Sequence, residues 1–123
     1  MNEILACIKQ RRSIRKFKPD LIPCEDMDAI IEAGLYAASG MGKQATKIIA
    51  VTNKKVRDEL SDLNRQIGGW KPGFDPFYGA PVVLIVLGDK SWVNHVYDGS
   101  LVMGNLMLAA QALGIGSCWI HRA

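Results

Sequence analysis

Between Leu101 and Leu113 ten of thirteen residues are apolar, the exceptions being Gly104, Asn105 and Gln111. A helix built from this stretch has no broad face suited to water, so something must cover it all round. The chain has 123 residues, enough for one domain with a real core but not for two. Two covers are open: a second subunit, which the small residues Gly104, Ala109, Ala110 and Ala112 would let approach closely, or the rest of the same chain wrapped round a central helix.

The other segments supply candidates for that wrapping. Ile4, Leu5 and Ile8 fall at helical spacing in residues 3–10, and Pro19 closes the basic stretch that follows. A second helix is expected from Pro23, with Glu25, Asp26 and Asp28 in its first turn and Met27, Ile30, Ile31, Leu35 and Ala38 on one side. It should end near the flexible loop Ser39-Gly40-Met41-Gly42. Lys47 to Thr52 reads as a strand. Asn53 then caps a helix that turns Val56, Leu60, Leu63 and Ile67 inward and stops at Gly68-Gly69. Residues 70–80 form an aromatic loop with Pro72, Gly73, Pro76 and Gly79, long enough to cover a site. Pro81 to Leu87 has no polar face and reads as a fully buried strand, and Ser117 to His121 as a last one.

Charge is unevenly placed. Residues 9–18 hold six Lys or Arg and no acid, which leaves nine basic against twelve acidic residues elsewhere and a net charge of +3. A local cationic segment on a mildly acidic body suits a discrete anionic ligand, although a basic nucleic-acid-binding arm reads similarly. Cys7, Cys24 and Cys118 are odd in number and far apart, which argues against a disulfide framework and a zinc site and for a reduced, cytoplasmic setting. No run approaches the length of a membrane span, and the start Met1-Asn2-Glu3 lacks the pattern of a secretory leader.

Two nucleotide motifs are imitated and fail. A phosphate loop ending at Lys43 would need Gly and Ser or Thr where this chain has Ala37 and Gln44. Gly40-x-Gly42-x-x-Ala45 follows a helix and precedes a strand, the reverse of a dinucleotide fingerprint. His95 and His121 lack partners at metal-ligand spacing, and no serine sits in a nucleophile elbow, so neither metal nor Ser-His-Asp chemistry is expected. What remains is a guanidinium-rich segment with a hydroxyl at Arg11-Arg12-Ser13-Ile14-Arg15, a polar Gly-rich loop, the amide Asn64 and an aromatic loop. These are the parts a protein needs when a cofactor performs the chemistry.

Four segments carry a resemblance. Arg11 to Phe17 matches an R-R-S-x-R-x-F pattern, and Ala37 to Ala45 is similar to A-P-S-x-x-N-x-Q-P. Gly79 to Val82 matches G-A-P-V, and Asn105 to Trp119 matches N-L-x-L-A-A-x-x-L-G-x-G-S-C-W. Together they make the chain resemble the FMN-dependent nitroreductases, with Gly42 standing where that family commonly has Asn and Ala45 where it has Pro.

The resemblance implies one α/β (α+β) domain over 1–123, a three-layer αβα fold with a mixed sheet around a buried central helix, continued in the family beyond the equivalent of Ala123. It implies an enzyme that binds FMN non-covalently and passes a hydride from NAD(P)H to a nitroaromatic, quinone or similar acceptor. By the same likeness Arg11 and Ser13 hold the FMN phosphate and Arg12 the phosphate or ribityl chain. Arg15 faces the pyrimidine edge of the flavin, where a cation stabilises developing negative charge, and Asn64 hydrogen-bonds that edge. Ala38, Ser39 and Met41 reach the FMN of a partner subunit, and Trp119, Ile120 and His121 lie beside the flavin with a backbone N–H near N5. The expected assembly is a homodimer with sites at its interface, without nucleic acid, membrane or metal. The rival expectations are a truncated, non-catalytic remnant of such an enzyme and a small basic nucleic-acid-binding module.

Overall fold

A computed structural model describes residues 2–121. In chain order it contains α1 (Glu3–Gln10), α2 (Cys24–Leu35), β1 (Thr46–Val51), α3 (Lys54–Gly68), β2 (Val83–Gly88) and α4 (His95–Ala112), with a 3-10 turn at Gly40–Gly42. The α/β class and the element order as far as α4 are those expected.

The long apolar helix lies at the centre. α4 packs against α2, β2, β1 and α1, and its residues Val102, Leu106 and Ala110 form the buried core with Ile30 of α2. Ile48 of β1 and Leu84 and Val86 of β2 close over that cluster. Cys7 Sγ donates to Leu108 O at 3.3 Å, tying α1 to the same helix. The covering is incomplete, because Val96, Tyr97 and Leu101 of α4 remain exposed.

Gly34 sets how closely α2 approaches α4. A Cβ there would stand 2.6 Å from Leu106 Cδ2 and 3.2 Å from Ile48 Cδ1, inside contact with two core side chains. Gly34→Ala is therefore expected to destabilise the fold by about 1–3 kcal/mol despite alanine's better helix propensity. Urea unfolding of the two proteins measures it, and a neutral or stabilising change would show that α2 can move aside.

β1 and β2 pair antiparallel with Thr46 opposite Gly88 and Val51 opposite Val83. Leu84 and Val86 face the core, whereas Ile49 and Leu87 on the other side are 46% and 45% exposed. The strand expected to be fully buried is instead half-buried over Val83–Val86 and exposed at Leu87. Ser117 to His121 also differs from its expected strand: it contributes one isolated parallel bridge, Ser13 to Ser117, with Ile14 N donating to Ser117 O at 3.0 Å. Among the described residues the sheet is the antiparallel pair β1 and β2, with that bridge separate from it.

α3 forms with the expected ends. Asn53 accepts from Val56 N, and Gly69 stops the helix at φ 75°, a left-handed conformation glycine adopts without strain. Of the four residues expected to face inward only Leu60 is half-buried. Arg57 and Ser61 are buried, while Val56, Leu63 and Ile67 are exposed, Ile67 at 64%. The cause is Asp75 in the aromatic loop, which accepts from Arg57 Nη2 and Ser61 Oγ and draws the polar side of α3 inward. α2 ends at Leu35, one turn before the Ser39 loop near which it was expected to finish.

Candidate functional site

α1 ends at Arg11, whose N–H reaches back to Cys7 O at 3.1 Å. The chain then leaves the helix in extended form, and the Ser13–Ser117 bridge lays this basic segment beside residues 117–121, more than a hundred positions away in sequence. Gly116 permits that approach, since a Cβ on it would meet Ile14 Cγ1 at 3.1 Å. Two of the expected groups, Arg11 to Arg15 and Trp119 to His121, are therefore neighbours. The Trp119 and His121 rings lie 5.5 Å apart at a 39° tilt.

The arginines are placed differently from one another. Arg12 Nη1 donates to Lys9 O at 2.7 Å and Arg11 O at 2.8 Å, engaging carbonyls at the end of α1. Arg15 and Ser13 are exposed. Arg11 is half-buried, and its Nη1 lies out of water without a hydrogen-bond partner among the described residues. A guanidinium N–H in that condition costs free energy until an acceptor meets it, and an anionic oxygen is the acceptor that suits it best.

The second group is the turn between α2 and β1. Gly42 N donates to Ser39 O, Lys43 N to Gly40 O, and Gln44 N to Ser39 Oγ at 3.0 Å. This folds the turn tightly enough to put Met41 at φ 54° and Gly42 at φ 64°. Met41 stands at its tip, 86% exposed, and Ala38 is exposed beside it. Asn64 sits apart on α3, half-buried, with Nδ2 donating to Leu60 O at 3.0 Å.

Two clusters escaped the sequence reading. Asp75 gathers Arg57, Ser61 and the backbone N–H groups of Phe77 and Gly79, which fixes the aromatic loop on α3. Burial raises the Asp75 carboxyl, but these donors outweigh it and hold the group below the ordinary carboxylate range. In the loop Trp70 and Phe74 pack at 5.0 Å and Phe74 meets Tyr78 edge-on. The other is Asp98, buried in the first turn of α4 beneath Gly40 and Trp92. A carboxylate in so apolar a helix was the signal that could have found it. A concavity of about 860 Å³ runs along α3 past Lys54, Asp58 and Leu63, and none of the expected flavin residues lines it. Among the described residues no cluster of His, Cys, Asp and Glu could hold a metal ion, and no helix is long and apolar enough to cross a membrane.

Comparison with known proteins decides the family. The sequence model described as the nitroreductase family matches residues 8–68 and 69–122. The chain belongs to the nitroreductase family. A crystal structure of a nitroreductase with bound FMN from Bacteroides fragilis superposes with a TM-score of 0.93 at 34% identity, covering 98% of this chain and 70% of that one. Another with bound FMN, from Desulfitobacterium hafniense, gives 0.86 at 33% identity over 94% of this chain and 68% of that one. A curated relative from Methanothermobacter thermautotrophicus is 31% identical over 124 residues, 95% of this nitroreductase chain and 60% of its own. A Bacillus subtilis FMN reductase (NAD(P)H) is 27% identical, and the match covers 95% of this chain and 53% of that enzyme. The chain thus spans a little over half the length of these curated relatives.

Proposed function

We propose that this nitroreductase-family chain is the flavin-binding core of a homodimeric oxidoreductase that takes a hydride from NAD(P)H and passes it to a nitroaromatic, quinone or similar electron-poor acceptor. The observation that carries the reading is Arg11 Nη1, a buried cationic donor without an acceptor, on the segment whose pattern resembles the FMN-phosphate grip. The residues fit the group. A phosphate monoester supplies the missing acceptor, and the exposed Ser13 hydroxyl and Arg15 guanidinium on the same extended strand are free to turn toward the same molecule. FMN, when bound, would supply the hydride-transfer chemistry.

The chain's own residues bind, orient and exclude water. Arg11 and Ser13 hold the phosphate, with Arg12 alongside. Arg15 places a fixed positive charge at the pyrimidine edge, and Asn64 donates to the same edge. Trp119, Ile120 and His121 form the wall beside the reacting face, where apolar cover keeps water from competing for the hydride. Ala38, Ser39 and Met41 complete the site of the partner subunit.

The chain leaves apolar surface open to cover by a partner subunit. Exposed apolar side chains at Ile4, Val93, Tyr97, Ile49 and Ile67 make up part of it. The purified protein is expected to be yellow, to keep its flavin spectrum through desalting and to lose that spectrum when NADH or NADPH is added without oxygen. A colourless protein that cannot be reconstituted with FMN overturns the reading.

A further inference from the structure

Asp98 is 3% exposed and is the only charged residue in α4. A carboxylate removed from water must be matched by donors, and both of its oxygens are. Oδ1 accepts from Gly40 N at 2.9 Å and Oδ2 from Trp92 Nε1 at 2.8 Å. The two donors come from different segments, the turn at 39–44 and the residues leading into α4, so one side chain joins both to the helix.

The same two segments meet at further points. The backbone of Gly40 lies so close to Asn94 that a Cβ would stand 2.5 Å from its Nδ2. Lys43 Nζ sits 5.5 Å from the centroid of the Trp92 ring, a distance at which cation and ring attract. The turn they enclose is strained, with Met41 and Gln44 both at positive φ. Such conformations cost about 1 kcal/mol or more each and persist only where the surroundings over-determine them. Gly40 N is the amide that ties this strained turn to the buried carboxylate.

We propose that Asp98 is a positioning residue for flavin, holding the Ser39 to Met41 turn in the shape that completes a flavin site. The inference rests on the site reading above. Asp98 does not touch the ligand; it acts through Gly40. Alanine in its place accepts from neither Gly40 nor Trp92, so the bond that ties the turn to α4 is lost outright.

In the flavin-bound protein, Asp98→Ala is expected to speed amide exchange at Gly40 about tenfold and to weaken FMN binding, titrated by flavin fluorescence, at least fivefold. Trp92→Phe removes the other donor and leaves the Gly40 bond. It should lower stability while keeping FMN affinity within twofold, a split that a merely structural Asp98 would not produce. Gly40→Ala is the second route should Asp98→Ala fail to fold: it keeps the carboxylate, pushes the turn off Asn94, and should cost at least the same fivefold. FMN affinity within twofold of wild type in Asp98→Ala or Gly40→Ala overturns the proposal, as does unchanged Gly40 protection in Asp98→Ala. Failure of the wild type itself to bind FMN overturns the site reading instead, and Gly40 exchange still judges the clamp.

Discussion

Replacing Arg11 by alanine is expected to weaken FMN binding about 10- to 100-fold while leaving the flavin-free protein as stable as before or slightly more so. The two halves have one cause. In the free chain Arg11 Nη1 is out of water and unpartnered, so the side chain carries a desolvation cost that its deletion relieves. In the bound protein the same nitrogen gains a charged acceptor, worth about 1.5–3 kcal/mol, and each 1.4 kcal/mol is tenfold in affinity. Ordinary loss of packing would lower both the apo melting temperature and the flavin affinity. Relief of a buried donor moves them in opposite directions. Arg11→Lys should fall between, since it keeps the charge but not the planar fork. Thermal melts with and without FMN, beside a fluorescence titration, read both halves. Unchanged affinity in Arg11→Ala would remove the phosphate role and with it the observation on which the function rests.

Legibility in the sequence followed the range of the interactions involved. The ends of α3 depend on neighbours a few residues away, and Asn53 and Gly69 announced them correctly. Which side of α3 turns inward depends on Asp75, seven residues beyond the end of the helix, and no periodicity contains that information. The stripe Val56, Leu60, Leu63, Ile67 correctly predicted a helix, but of its expected buried face only Leu60 is half-buried and the other three are exposed. It remains apolar surface awaiting cover, as do Ile49 and Leu87 on the sheet. The run from Pro81 to Leu87 misled in degree, because continuous apolarity predicts full burial, whereas the strand is half-buried over Val83–Val86 and open at Leu87.

The candidate site divides along the same line. The Arg11 to Arg15 segment and the 117–121 segment were each recognisable by pattern, but their adjacency comes from a bridge between residues that are far apart in the chain. Asp98 was invisible to a reading that began the apolar helix at Leu101. Extended one turn toward its start, the helix shows a lone carboxylate among apolar residues, which demands a partner and would have pointed to the turn it holds.

Asp75→Ala is expected to destabilise the protein by about 3 kcal/mol, the largest single effect on folding outside the core. Arg57 keeps only 10% of its side chain exposed, and removing Asp75 leaves that charge with Asp58 and Ala80 O alone. Breaking one side of a buried pair costs about 3–5 kcal/mol, and Asp75, 32% exposed, belongs at the lower end. The loss also strips acceptors from Ser61 and from the N–H groups of Phe77 and Gly79, so the aromatic loop should open before α4 unfolds. Arg57→Met/Asp75→Ala should be much less damaging than the sum of its parts, because the stranded charge leaves with its partner. The pH dependence has a definite sign. The Asp75 carboxyl titrates below its unfolded value, so its stabilisation is complete above the ordinary carboxylate range and is lost as pH falls through the lowered one. Urea midpoints from pH 6 down to 3 should therefore fall more steeply for wild type than for Asp75→Asn. Asp58, Asp62 and Asp89 are shifted in the same direction and leave the variant a residual slope. Parallel curves would mean that the donors around Asp75 bind its neutral and charged forms equally, and that α3 is held in place by something other than this carboxylate.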